Sequence, residues 1–104
     1  MVSKTESLGF QPPHPGEYLR EDILPALGMT ASAFARHLGV SKQTVSELLA
    51  EKRAISTDMA IRLGIALRNG ARFWLAMQLQ HDLWIEERQK TFRIEPLNWN
   101  ADAA

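Results

Sequence analysis

The chain contains no cysteine, which excludes disulfide staples, thiolate metal sites and a cysteine nucleophile, and is compatible with a reducing compartment. It has no excess of charge either, because 12 basic and 12 acidic residues cancel. Long apolar runs are missing too. The longest, such as Phe73 to Met77, fall far short of the roughly 20 residues that a membrane-spanning helix needs. The N-terminus also lacks the apolar core of a secretory signal, so a cytoplasmic protein without a membrane partner is expected. No glycine-rich phosphate loop and no His-Glu-x-x-His pair occurs. His14, His37 and His81 are scattered, and His81 and Asp82 are adjacent in sequence, so on a helix they point in different directions and are poor candidates for a shared metal. No catalytic residue, metal or cofactor is expected, and an enzyme is the weakest of the competing classes.

What remains is a chain of 104 residues, 45% of them apolar, enough for one helical core and too short for two domains. The zero net charge hides an uneven distribution. Lys4 and Arg20 against Glu6, Glu17, Glu21 and Asp22 leave residues 1–35 at −2. Arg36, Lys42, Lys52, Arg53, Arg62, Arg68 and Arg72 against Glu47, Glu51 and Asp58 bring residues 36–72 to +4, and residues 73–104 return to −2. A basic centre between acidic ends is the pattern of one electropositive face, which a polyanionic partner requires.

Residues 1–13 end in Gln-Pro-Pro and show no periodicity, so they read as a flexible arm. Pro15-Gly16-Glu17 opens a helix on which Tyr18, Leu19, Ile23 and Leu27 recur until Pro25 and Gly28 stop it. Thr30 caps a second helix with Phe34, Ala35 and Leu38 inward, and Gly39 ends it. Ser41 caps a third with Val45, Leu48 and Leu49 buried. Ser56 or Thr57 caps a fourth carrying Met59, Leu63, Ala66 and Leu67, closed by Asn69-Gly70. The fifth, about 71–90, is apolar on two faces, with Phe73, Trp74, Met77, Leu83 and Trp84 among its residues. A helix with two apolar faces in so small a protein has to cover more than its own core, which makes these five the expected homodimer interface. Phe92-Arg93-Ile94-Glu95 alternates as a short C-terminal strand would, before Pro96, with Leu97 and Trp99 beyond. The expected fold is all-α, five helices in a lambda-repressor-like helix-turn-helix arrangement over 14–91, with a tail at 92–104.

The pattern with the most chemical content runs from Ala31 to Ala50. Two helices crossing steeply need a small residue where they approach, Ala35, and a turn residue free to take positive φ, Gly39. Leu38, Val40, Val45 and Leu48 then fix the crossing angle. With that face buried, the second helix turns Ser41, Lys42, Gln43, Thr44, Ser46 and Glu47 outward. These are side chains able to read base edges in a major groove wide enough to admit a helix. Gln43 is the candidate reader of adenine. Lys42 suits guanine or phosphate, and Glu47 either accepts from cytosine or pairs with Lys52 or Arg53. Arg36, Lys52 and Arg53 are placed to contact phosphates, which position a protein without specifying sequence. A pure protein-interaction module, with this face idle, is the competing reading.

His14-Pro15-Gly16-Glu17 followed by Leu19, then Val45-Ser46-Glu47-Leu48-Leu49-Ala50 with Lys52, and then Phe73-Trp74-Leu75-Ala76-Met77-Gln78 with Asp82-Leu83-Trp84 together resemble the XRE-type regulators. Within them they resemble the HigA, or VapI-like, antitoxins of bacterial toxin-antitoxin pairs. The resemblance spans about residues 14–88, and its fifth-helix stretch is the most specific part. It implies a homodimer that represses its own operon by binding double-stranded operator DNA through Ser41, Lys42, Gln43, Thr44 and Ser46. It also implies a partner toxin, a RelE-like, HigB-type ribonuclease that cleaves mRNA. Toxin-contacting positions do not carry over, and a stand-alone regulator without a toxin is the alternative.

Overall fold

The computed structural model describes residues 10–100, which form five helices joined by short loops; among these residues there is no strand. Residues 1–9 of the expected arm and 101–104 of the tail lie outside the described residues. Helix α1 is continuous over 15–27 in three segments, Pro15–Tyr18, a π turn Leu19–Ile23, and Leu24–Leu27. Its cap is His14, whose Nδ1 accepts from the Gly16 N–H at 2.8 Å. Gly28 ends α1 with φ 64°, as expected, but Pro25 does not. A proline has no N–H for the carbonyl four residues back and its ring crowds that carbonyl. Here the turn before it widens so that the Leu24 N–H reaches the Leu19 carbonyl five residues back, and the helix passes through the proline.

Helices α2 (Ala31–Leu38), α3 (Lys42–Leu49) and α4 (Thr57–Leu67) begin at Thr30, Ser41 and Ser56, each with its hydroxyl accepting from the N–H three residues on. Helix α4 ends one step earlier than Asn69-Gly70 suggests, at Arg68 in the left-handed region with φ 62°. Helix α5 spans Ala71–Gln89. Two glycines in helices exist for close approach. A Cβ on Gly16 would sit 1.8 Å from the Leu48 carbonyl oxygen, so α1 lies directly against α3. A Cβ on Gly64 would sit 2.5 Å from the Ala71 nitrogen, where α5 starts beside α4.

The core gathers the inward stripes of all five helices, including Leu19, Phe34, Ala35, Leu38, Val45, Leu48, Met59, Leu63 and Trp74. Trp74 is fully buried, and its indole N–H donates to the Asn69 side-chain oxygen at 2.8 Å. Burying a large apolar side chain contributes roughly 1.5–3 kcal/mol. Its place in the chain's own core removes it from the expected dimer interface, because a residue already covered has no surface left for a second copy.

The chain is attached before its first helix. Pro12 is buried, and its carbonyl oxygen lies 2.8 Å from His81 Nδ1 on α5, so residues 11–13 lie beside that helix rather than free of it. Residues 90–100 form neither helix nor strand, which corrects the C-terminal strand expected from their alternation. Phe92, Ile94, Leu97 and Trp99 are all more than two-thirds exposed. A lone strand without a neighbour to receive its hydrogen bonds gains nothing from alternation.

Candidate nucleic-acid interface

The pair α2–α3 is built around its turn. Gly39 takes φ 74° and the Val40 N–H returns to the Ala35 carbonyl at 3.0 Å, closing α2 over a small side chain as the crossing requires. Leu38, Val45 and Leu48 are buried beneath it. The turn is then held from outside by Arg62 of α4. One guanidinium nitrogen donates to the Leu38 carbonyl at 2.7 Å and lies 3.4 Å from that of Gly39, while its Nε meets Asp58 at 2.8 Å.

The far end of α3 is held in the same way. Arg20 of α1 donates to the Leu49 carbonyl at 2.6 Å and pairs with Glu51 at 3.1 Å. Basic groups at helix C-termini satisfy carbonyls that have no intrahelical partner. The loop that follows α3 is tied to α5 by Gln78, a buried polar side chain whose Oε1 accepts from the Ile55 N–H at 2.8 Å and whose amide donates to Asp82 at 3.0 Å. In the sequence Arg20 and Arg62 count only as charges and Gln78 only as part of the fifth-helix stretch, with no positioning role for any of them. The Asp58–Arg62 spacing of one helical turn was a visible signal for one of them.

The outward face of α3 divides into two groups. At its start, the Ser41 hydroxyl accepts from the Thr44 N–H at 3.0 Å and lies 2.8 Å from the Thr44 hydroxyl. These two side chains are therefore engaged with each other as a cap. Lys42, Gln43 and Ser46 are exposed. One turn further, Glu47 draws the rest together. One carboxylate oxygen accepts from both Nε and a terminal nitrogen of Arg53, at 3.1 and 2.6 Å, and the other accepts from the Gln43 amide nitrogen at 3.2 Å. Arg53 first, then Gln43, hold the Glu47 carboxyl below the usual carboxylate range. Of the two partners weighed for Glu47 within the protein, the structure takes Arg53 rather than Lys52. Lys52 and Arg53 are exposed in the loop after α3, and Arg36 and His37 are exposed on α2.

The expected dimer residues lie apart from this face, on α5. Leu83 is 47% exposed and Leu79, one turn before it, 57%. Together with Phe92 they line an open groove of about 750 Å³ rimmed by Asp82, Glu86, Glu87 and Lys90. Phe73 is partly exposed and stacks edge-on to Trp74 with ring centres 5.1 Å apart. Met77 and Trp84 are half-buried, and the Arg88 guanidinium lies over one side of Trp84, 3.8 Å from the ring centre. No helix among the described residues is long and apolar enough to cross a membrane.

A helix-turn-helix family model matches residues 19–72. The chain is 42% identical over 77 residues to virulence-associated protein I of Dichelobacter nodosus, covering 74% of this chain and 71% of that one. It is 39% identical over 69 residues to the antitoxin HigA-1 of Vibrio cholerae serotype O1, covering 66% and 65%. Among solved structures, the Pseudomonas aeruginosa antitoxin HigA with the higBA promoter superimposes with a TM-score of 0.74 at 40% identity, covering 84% of this chain and 99% of that one. The chain belongs to the helix-turn-helix family, in its branch of HigA and virulence-associated protein I relatives.

Proposed function

We propose that this member of the family is a sequence-specific DNA-binding antitoxin that represses its own operon as a homodimer and neutralises a partner mRNA-cleaving toxin. The observation that carries the DNA-binding half is the exposed polar face of α3, locked at both ends by Arg62 and Arg20. A recognition helix discriminates bases only when its side chains are held in register with the groove. The similar Pseudomonas aeruginosa protein, solved with promoter DNA, gives the same fold a nucleic-acid partner. Lys42, Gln43 and Ser46 are proposed to meet base edges. Ser41 and Thr44 shape the helix start and offer their remaining lone pairs and hydroxyl hydrogens to base or phosphate, and Arg36, Lys52 and Arg53 serve the phosphates. A cytoplasmic, non-enzymatic protein fits this reading.

For the homodimer, Phe73, Met77, Leu83 and Trp84 of α5 remain the proposed interface, with Leu79 added and Trp74 withdrawn. The toxin half rests on the HigA relatives, and its partner is expected to be a RelE-like ribonuclease. The deciding experiment is co-expression with the neighbouring reading frame. Co-purification with a small basic ribonuclease, whose toxicity this chain relieves, is the expected result. A neighbour that is neither toxic nor bound would leave a stand-alone regulator.

A further inference from the structure

We propose that Glu47 contacts no base but is the positioning residue of the reading face, and that it sets how well this protein distinguishes its own site from other DNA. The inference rests on the DNA-binding reading above. Its ground is that one carboxylate bridges the two side chains with complementary DNA tasks. It receives the Gln43 amide nitrogen on one oxygen and the Arg53 fork on the other, with all three groups on the solvent side of α3. Such bridging leaves Glu47 engaged on both oxygens within the protein, which is a poor state from which to accept from cytosine.

The bridge has two physical consequences of opposite sign. A carboxylate only accepts hydrogen bonds, so it fixes the Gln43 amide with nitrogen inward and oxygen outward. The second amide hydrogen and the oxygen stay available as the donor and acceptor pair that matches adenine. Ordering Gln43 and Arg53 before DNA arrives also lowers the entropy lost on binding, since rotamer-rich side chains otherwise have to be immobilised in the complex. Against this, a negative charge on the reading face repels phosphates and offsets Arg53, which weakens binding to any duplex whatever its sequence. Glu47 thus favours the cognate site and disfavours all others, and removing its charge should bring the two affinities closer together rather than lower both.

The test uses the full chain, a duplex selected by that chain from a random pool, and a scrambled duplex of the same composition, titrated by fluorescence anisotropy at several salt concentrations. Glu47→Gln keeps the size but can donate as well as accept, so the Gln43 amide is free to turn over. The expected result is tighter binding to the scrambled duplex, a steeper salt dependence, and a ratio of selected to scrambled affinity reduced about fivefold or more. Glu47→Asp keeps an acceptor-only partner and is expected to retain most of the ratio. Helicity and thermal midpoint, followed for each variant, should be close to those of the parent because the site is on the surface. A Glu47→Gln chain that loses affinity for both duplexes in parallel, or keeps the parental ratio, overturns the proposal while leaving DNA reading intact. Failure of the parent chain to enrich any duplex overturns both. A double-mutant cycle supplies the last arm. Gln43→Ala should erase most of the effect of Glu47→Gln on the ratio, and strictly additive effects would refute a role exerted through Gln43.

Discussion

The Arg62 guanidinium stands 2.7 Å from the Leu38 carbonyl oxygen and so ties α4 to the last turn of α2, just where the chain bends toward the reading helix. Hydrogen bonds from charged groups contribute about 1.5–3 kcal/mol, and this one is partly buried. Arg62→Ala should therefore destabilise the protein by about 1–3 kcal/mol, seen as a lower urea midpoint with an unchanged slope. Arg62→Lys should recover only part of that, because a single ammonium cannot meet Asp58 and the turn carbonyls with the planar fork that arginine offers. A midpoint that does not move in Arg62→Ala would show the clamp to be incidental.

Gly16 and Gly28 should respond in opposite degree to the same change. A Cβ at Gly16 would collide with the Leu48 backbone carbonyl at 1.8 Å, whereas at Gly28 nothing lies within 4 Å and only the φ of 64° resists. Gly16→Ala should cost about 3 kcal/mol or more, or prevent folding, since α1 would have to leave α3. Gly28→Ala should cost about 1–2 kcal/mol, the penalty of a left-handed backbone for an L-residue. Comparable losses in chemical denaturation would contradict the packing described for α1.

These contrasts mark what the sequence could and could not reveal. Caps, inward stripes and the Gly39 turn were legible because each depends on residues three or four positions apart. The links that position the reading helix join residues far apart in the chain: Arg62 to Leu38 across 24 positions, Arg20 to Leu49 across 29, and His81 to Pro12 across 69. No local period announces them. Sequence places Trp74 at a dimer interface because periodicity shows that α5 has two apolar faces but not which one meets the chain's own core. The strand expected at 92–95 failed for a related reason, since alternation describes a strand only where a neighbour exists to pair with it.

Gln43 is the residue whose loss should separate specific from general binding. Replacing it with alanine should weaken binding to the selected duplex by about 1–3 kcal/mol, the range of one bidentate base contact. A scrambled duplex should be bound almost as before. Equal losses on both would assign Gln43 to the phosphate backbone instead.

The α5 groove yields a prediction about assembly. Leu79 and Leu83 are about half exposed one turn apart, and a charge placed between two copies there would be buried without a partner. Sedimentation of the parent chain at tens of micromolar, the concentration scale of an ordinary specific pair, should show a dimer. Leu83→Glu should shift it to monomer without loss of helicity. A parent chain that sediments as monomer throughout that range would remove α5 as a dimer interface.

His14 makes stability depend on pH in a direction that can be worked out in advance. Burial, reinforced by the nearby His81, pushes its imidazole below the ordinary value of 6.5, although Glu51 and Asp82 pull the other way. Its Nδ1 accepts the Gly16 N–H and therefore carries no proton in the folded chain. As pH falls through 6.5 the unfolded chain takes up a proton that the folded chain still refuses, so the unfolded state gains and stability declines. Above that value the full contribution is present. The thermal midpoint should accordingly fall between about pH 7.5 and pH 5.5. Part of that fall should vanish in His14→Asn, whose side chain can accept the same N–H as a helix cap but does not titrate in this range. An equal slope in parent and variant would place the pH dependence on other groups.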